Sequence, residues 1–445
     1  MSDTSRSPSS EVLVEKLVPG GYALGRIGPQ VVFVPGGVPG ERLRISVGPK
    51  VHGVHHGKIR QILASSPDRV EAPCSIYGQC GGCQLQHIRY DAQLMQKKLM
   101  LGDALGRIGK MAIPEIESVW PSPQPFGYRR TIRFAVFKGA SGFHLGFYQA
   151  GTHRGIDAHA CLLIPEHLQQ IAAKLANVLV SCSALPMYVE HIELRSSITT
   201  NEVLIVFHGT YKKVEKVQAF LEPFRRFPDV VGCMVQRSGP KSEQRRTEPL
   251  VVGQDYVTER FGELTLHVGF QSFMQTNWPV YEAIGKTLKD WLGDPQGRHV
   301  LELYARTGAL GMSLARHGAF VTLVESNPCA LADAKQSMAL SRVARCTFKR
   351  QAGEKFLTSV KQGAYEIVLL DPPRTGLSAT VTQELGRIKP DRIFYISCDM
   401  ATLARDLSRL VDSGYGIVRI QPFDMFPQTA HLETLVELRM QPPHQ

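Results

Sequence analysis

From residue 298 to the end, short apolar runs alternate with helix-length segments, and this alternation constrains the fold more than any other feature of the chain. The pattern predicts strands at 300–304, 320–324, 367–370 and 393–397. Between them it predicts helices at 309–317, 328–340 and 379–388. The runs 417–422 and 434–440 close the chain as an expected antiparallel pair. Strands that alternate with helices build a doubly wound sheet, and such sheets gather ligands at the carboxyl ends of their strands.

The 445 residues exceed one ordinary domain, and the expected fold class is α/β and multidomain. Residues 11–64 are punctuated by Pro19-Gly20-Gly21, Pro35-Gly36-Gly37 and Pro39-Gly40, as in a small OB-like β-barrel. Strands are expected there at 12–17, 31–34 and 43–47. A cysteine-rich loop spans 74–92, and an amphipathic helix is expected from Asp91 through Leu94, Leu99, Leu101 and Leu105. The segment 126–265 mixes strand and helix signals as a central α+β domain, with an exposed basic loop at 237–246. The expected domains are 8–66, 67–255 and 256–445, the last Rossmann-like.

Lys and Arg number 51 against 40 Asp and Glu, a net charge of +11. That balance favours a polyanionic partner, most simply nucleic acid. The polar opening Met1-Ser2-Asp3-Thr4-Ser5-Arg6-Ser7 has no apolar signal region, and no apolar run approaches the ~18 residues a membrane helix needs. A soluble, cytoplasmic monomer is expected. Nine cysteines in so long a chain do not form a disulfide framework; they suit metal ligands, a nucleophile or core filler.

The run 392–398 ends an apolar stretch on Ser397-Cys398-Asp399, and a helical segment follows. A thiol at the carboxyl end of a strand can be a nucleophile or a small buried residue. Leu301-Glu302-Leu303-Tyr304-Ala305-Arg306-Thr307-Gly308 forms a strand-to-helix turn of the kind a nucleotide-like cofactor approaches. Glu325, ending the next strand, suits a ribose's two hydroxyls or a helix cap. Asp371-Pro372-Pro373-Arg374 follows an apolar strand, and its prolines leave the carboxylate at the sheet edge. Cys74, Cys80 and Cys83 are spaced C-x5-C-x2-C among glycines. With Cys161 as candidate fourth ligand and Cys182 as runner-up, the group suits a [4Fe-4S] cluster, a tetrahedral zinc or simple packing.

These motifs together resemble the RNA (uracil-5-)-methyltransferases, and within them the bacterial 23S ribosomal RNA type with a TRAM domain and an iron–sulfur cluster. Residues 11–64 are similar to the TRAM domain, and 74–87 to the cluster loop. Phe273-Met274-Gln275-Thr276-Asn277 is similar to the family's F-x-Q-x-N segment. The tetrad at 371–374, Ser397-Cys398-Asp399, and the segment 424–434 match its C-terminal motifs in order. The resemblance implies methyl transfer from S-adenosylmethionine to carbon 5 of a uridine, most simply in 23S rRNA. It implies Cys398 as nucleophile and Glu433 as base. It places Gln275, Tyr304, Glu325 and Asp371 around cofactor and uracil, with Cys74, Cys80, Cys83 and Cys161 on a [4Fe-4S] cluster. Arg374 and Arg405 are expected to fix the site or the RNA backbone.

The roles suit the residue types. Carbon 5 of uracil is a poor nucleophile until a thiolate adds at carbon 6, and a carboxylate can then remove the carbon 5 proton. Three positions depart from the family pattern. Arg306 replaces the first glycine of the cofactor turn, Ala352 stands where an acidic residue is usual, and Asp399-Met400 replaces Asn-Pro. Two functions therefore stay open: an active methyltransferase, or an RNA-binding or ribosome-assembly factor with a degenerate cofactor site.

Overall fold

The computed structural model describes residues 9–140, 142–237 and 249–442. The opening 1–7 and, apart from Arg237, the basic stretch 237–246 lie outside the described residues. Five strands, Ser9–Val18 (β1), Tyr22–Ile27 (β2), Gln30–Pro35 (β3), Arg42–Val51 (β4) and Val54–Ala64 (β5), close a barrel in the order β1-β2-β3-β5-β4. Its interior is filled by the alternate residues Val12, Val14, Val32, Val34, Leu43 and Ile45, all buried, while Leu13 and Ile62 face outward. Buried Glu41 accepts from Arg69 Nε at 2.5 Å and Nη2 at 2.7 Å, fastening the chain that leaves the barrel.

The central region is a seven-stranded sheet of Thr131–Gly139 (β6), Gly142–Tyr148 (β7), Gly155–Asp157 (β8), Met187–Ser196 (β9), Val203–Tyr211 (β10), Val230–Arg237 (β11) and Leu250–Gly253 (β12). Its order is β12-β11-β10-β9-β6-β7-β8. The helices Glu166–Val180 and Val214–Leu221 cover one face, packing Leu168, Leu175 and Val217 on Phe134, Ile192 and Phe207. A hairpin of Tyr256–Phe261 (β13) and Leu264–Gly269 (β14) leads to the helix Trp278–Leu292.

The last sheet is built from His299–Leu303 (β15), Phe320–Glu325 (β16), Cys346–Arg350 (β17), Ile367–Leu370 (β18), Arg392–Ser397 (β19), Tyr415–Phe423 (β20) and Glu433–Met440 (β21). Its order is β17-β16-β15-β18-β19-β21-β20. The run β15 to β19 is parallel, and chain order reverses between β15 and β18, the switch point where open sheets place ligands. The closing pair is antiparallel as expected. Its last strand, β21, inserts between β19 and β20 and pairs antiparallel with both.

One expectation needs correction. The helix after the cysteine-rich loop forms, over Tyr90–Ala104, and Leu101 and Leu105 are buried as expected, but its buried face also carries polar residues that the leucine pattern did not announce. Leu99 is exposed, whereas Gln93 and Lys97 are buried. The reason lies in the partner segment, which offers polar groups: Gln93 Nε2 donates to Gln428 at 2.9 Å, and Lys97 Nζ to Asp424 at 2.5 Å and to the Phe426 carbonyl at 3.1 Å. Tyr90 Oη donates to the same Asp424 at 2.8 Å. Asp424 and Lys97 are both fully buried, so each is the other's only compensating charge. Leaving one of a buried ion pair unpartnered costs about 3–5 kcal/mol. Lys97→Met is therefore expected to lower the unfolding free energy by about that amount, measured as a drop in the denaturant midpoint without a change of slope.

Candidate active site

The candidate site is assembled by strand register. Ser397, the last residue of β19, pairs with Thr434 of β21. Cys398 follows Ser397 and Glu433 precedes Thr434, so both flank the last pair of the ladder, near enough for the Glu433 charge to act on the thiol. Leu370 of β18 pairs with Tyr395 of β19 and with Leu303 of β15. Asp371 thus leaves the sheet between Tyr304 and the Cys398 strand. Leu303 pairs with Val324, which brings Glu325 to the same edge beside Tyr304. The sequence-expected residues Tyr304, Glu325, Asp371, Cys398 and Glu433 therefore share the carboxyl edge of one sheet.

The site is dry and acidic. Burial pushes the Glu433 carboxyl up to about 8; the Asp371 charge raises it further, while Arg306 and Arg374 oppose the rise. Asp371 is itself raised by burial and held down by Arg306. Burial also lifts the Cys398 thiol, with Glu433 adding to the rise, to about 12. The apo site thus holds its thiol and its base mostly protonated at neutral pH, and ionising either depends on the cations nearby. Arg374 is exposed and makes no side-chain hydrogen bond among the described residues. Arg405 instead straps the tetrad loop: its Nη2 donates to the Thr375 carbonyl at 2.9 Å and the Leu377 carbonyl at 3.2 Å.

The turn after β15 is held from outside. Glu325 accepts the Arg306 amide at 2.9 Å and the Asn327 amide at 2.7 Å, one on each oxygen. It is thereby a turn clamp, with lone pairs left for a ligand. Gly308 has φ +73° and opens the helix Ala309–Arg316. The Arg306 side chain crosses the edge to Asp371 Oδ1 at 3.1 Å, and its guanidinium carbon lies 4.0 Å from the centre of the Phe273 ring. No sequence signal announced this contact. The Phe273 contact brings the 273–277 segment to the site. Gln275 in that segment is buried, and among the described residues its amide has no partner, so it is free to serve a ligand.

The four cysteines of the other constellation also meet. Cys74, Cys80, Cys83 and Cys161 line one cavity of about 230 Å³, whereas Cys182 lies elsewhere, its thiol donating to the Val178 carbonyl. Burial raises the Cys83 thiol to about 11 and lifts Cys80 and Cys161 as well. Arg129 lines the same cavity, and its Nε is buried with no hydrogen-bond partner. Among the described residues no three Cys, His, Asp or Glu side chains are arranged to hold a single metal ion. The expected [4Fe-4S] cluster thus has a cysteine-lined cavity but no metal-holding arrangement of side chains to support it among the described residues.

Comparison with known proteins agrees with this architecture. A family described as tRNA (Uracil-5-)-methyltransferase matches residues 89–441. An uncharacterized RNA methyltransferase of Halalkalibacterium halodurans is 30% identical over 97% of this chain and 96% of its own. One from Nostoc sp. is 32% identical over 95% and 94%. The fold resembles that of the Pyrococcus abyssi tRNA (uracil-54, C5)-methyltransferase solved with S-adenosyl-L-homocysteine, with TM-score 0.75, 24% identity, and coverage of 96% of this chain and 99% of that one.

Asp399 follows Cys398 and caps the helix Met400–Asp412, its Oδ1 accepting the amides of Ala401 at 3.1 Å and Thr402 at 2.8 Å. Asparagine caps equally well, so the departure at this position is conservative in function. Asp399→Asn is expected to leave stability within about 0.5 kcal/mol, and Asp399→Ala to cost about 1 kcal/mol, measured by chemical denaturation.

Proposed function

Since the chain belongs to the tRNA (uracil-5-)-methyltransferase family, we propose that it transfers a methyl group from S-adenosylmethionine to carbon 5 of a uridine in RNA, through an adduct between Cys398 and carbon 6. The observation that supports this reading best is the Ser397–Thr434 pair, which Cys398 and Glu433 flank at the carboxyl edge of the sheet. Cys398 Sγ, once ionised, adds to carbon 6 and makes carbon 5 an enolate carbon. Carbon 5 takes up the methyl group, and Glu433 removes the carbon 5 proton. The electron pair then re-forms the ring double bond and expels the thiolate. S-adenosylmethionine supplies the electrophilic methyl when bound; Glu325, Tyr304, Asp371 and Gln275 are the residues that would hold it and the uracil.

The target base has to leave its stack to reach a buried site, and a basic protein surface favours the exposed strand. The barrel is read as a TRAM domain, and 23S rRNA as the substrate, on the likeness of the barrel and the cysteine loop to that branch of the family. The proposed domains are 8–66, 67–255 and 256–445, supported by a barrel that ends at Ala64 and a central sheet that ends at Gly253. The second reading, a non-catalytic RNA-binding factor, rests on Arg306 in the cofactor turn.

In this reading Cys74, Cys80, Cys83 and Cys161, which line one cavity with Arg129, would hold a [4Fe-4S] cluster. Protein purified without oxygen is expected to be brown, with iron and acid-labile sulfide in equal amounts; stoichiometric zinc and no iron would contradict this.

Purified protein given labelled S-adenosylmethionine and unmodified rRNA or tRNA should label a uridine. Labelling of tRNA alone would reassign the substrate, and calorimetry showing no cofactor binding up to millimolar concentration would favour the second reading. Cys398→Ala should abolish transfer and the covalent complex with 5-fluorouridine RNA. Glu433→Gln should slow turnover by about 10²–10⁴-fold and trap RNA on the protein in denaturing gels. Both reacting groups act ionised and both are raised, so activity rises with pH. Between about 8 and 12, where only the thiol takes up its proton, kcat/KM should fall about tenfold per pH unit, and below about 8, where Glu433 does so too, about a hundredfold.

A further inference from the structure

We infer that Arg306 is the counter-ion of the carboxylates around Cys398: a positioning residue that lets Asp371 and Glu433 stand side by side in their reactive arrangement. It stands where a glycine would lie most easily, because its φ is +52°, in the left-handed region that L side chains avoid. A residue held there against its preference is held by its contacts. The backbone amide donates to Glu325, the guanidinium donates to Asp371, and the guanidinium face rests on Phe273. Bulk at this position therefore does not fill the turn; the side chain leaves it and spans the strand edge.

The need for a cation follows from what surrounds it. Asp371 and Glu433 are both buried, and the Asp371 charge raises the Glu433 carboxyl. Glu302, buried beneath the turn with Oε2 accepting the Gly311 amide at 2.9 Å, adds a third carboxyl. The helix Trp278–Leu292 contributes only Tyr281, neutral and buried. Among the described residues the cations that act on both Glu433 and the Cys398 thiol are Arg306 and Arg374, Arg306 the stronger at Glu433 and Arg374 at the thiol. Arg374 is exposed and screened by water, while the Arg306 side chain keeps only 23% of its exposure. Arg306 opposes the rise of Asp371, Glu433, Glu302 and the Cys398 thiol alike.

The inference rests on reading Cys398 and Glu433 as the reacting pair, yet its test needs neither RNA nor cofactor. The pH dependence of Cys398 alkylation by iodoacetamide, followed by mass spectrometry of the peptide that carries it, reports how readily the thiolate forms. Arg306→Gln should slow alkylation about tenfold across pH 7–9, as one unit of thiol shift requires. Arg306→Lys, which keeps the charge and loses the fork and the ring contact, should stay within about threefold of the parent. Arg306→Gly relieves the backbone but leaves Asp371 unpaired, so it should alkylate as slowly as Arg306→Gln, with circular dichroism confirming that the variant is folded. Alkylation of the glutamine and glycine variants at the parent rate would overturn the inference. Equal slowing in all three variants would also overturn it, because shape rather than charge would then matter. A parent protein that shows the shift but transfers no methyl group would count against the proposed function alone.

Discussion

The antiparallel pairing of β19 with β21 is the interaction on which the site depends. The parallel part of the sheet can bring Tyr304, Glu325 and Asp371 to one edge, since parallel strands all end there. It cannot bring Glu433, which begins a strand. Only a strand running the other way starts where its neighbours finish, and the insertion of β21 between β19 and β20 supplies it. A slip of one residue would exchange the buried and exposed faces of β21, and its near-complete burial on both sides resists that slip.

The second constraint is charge. The carboxyl edge gathers acids in a place with little water, and burial alone would leave them protonated and the thiol inert. Arg306 and Arg374 oppose that rise, one half-buried and paired with Asp371, one exposed. The segment leading into β21 is fixed by another buried charge pair, Lys97 with Asp424, which ties it to the helix that follows the cysteine-rich loop. The hydrophobic core continues across the same junction, from Val12 and Leu43 of the barrel through Leu101 to Leu403 and Leu407. The barrel and the reacting sheet are thus packed into one body.

Much of this was legible in the sequence. Helices 328–340 and 379–388 and strand 367–370 form with the expected bounds, because periodicity, Pro328 and the Ser378 cap are local signals. The helix at 90–104 was legible as a helix and only in part as to its face. Its leucines carry the apolar pattern, but polar partners some three hundred residues away decide what else it buries. Arg306 was legible as a departure from a pattern, and its side-chain direction was not, since Asp371 and Phe273 are distant in the chain.

The sequence by itself determined the α/β alternation, the thiol and carboxylate available for chemistry, and the four cysteines, because each rests on residue type and short spacing. The tertiary structure alone decided that Cys398 and Glu433 flank the same strand pair, that four cysteines from two segments share a cavity, and that an arginine in a glycine's place reaches across the strand edge to a buried acid. Those are matters of strand order and of charge buried at long range, where contacts distant in sequence outweigh local preference.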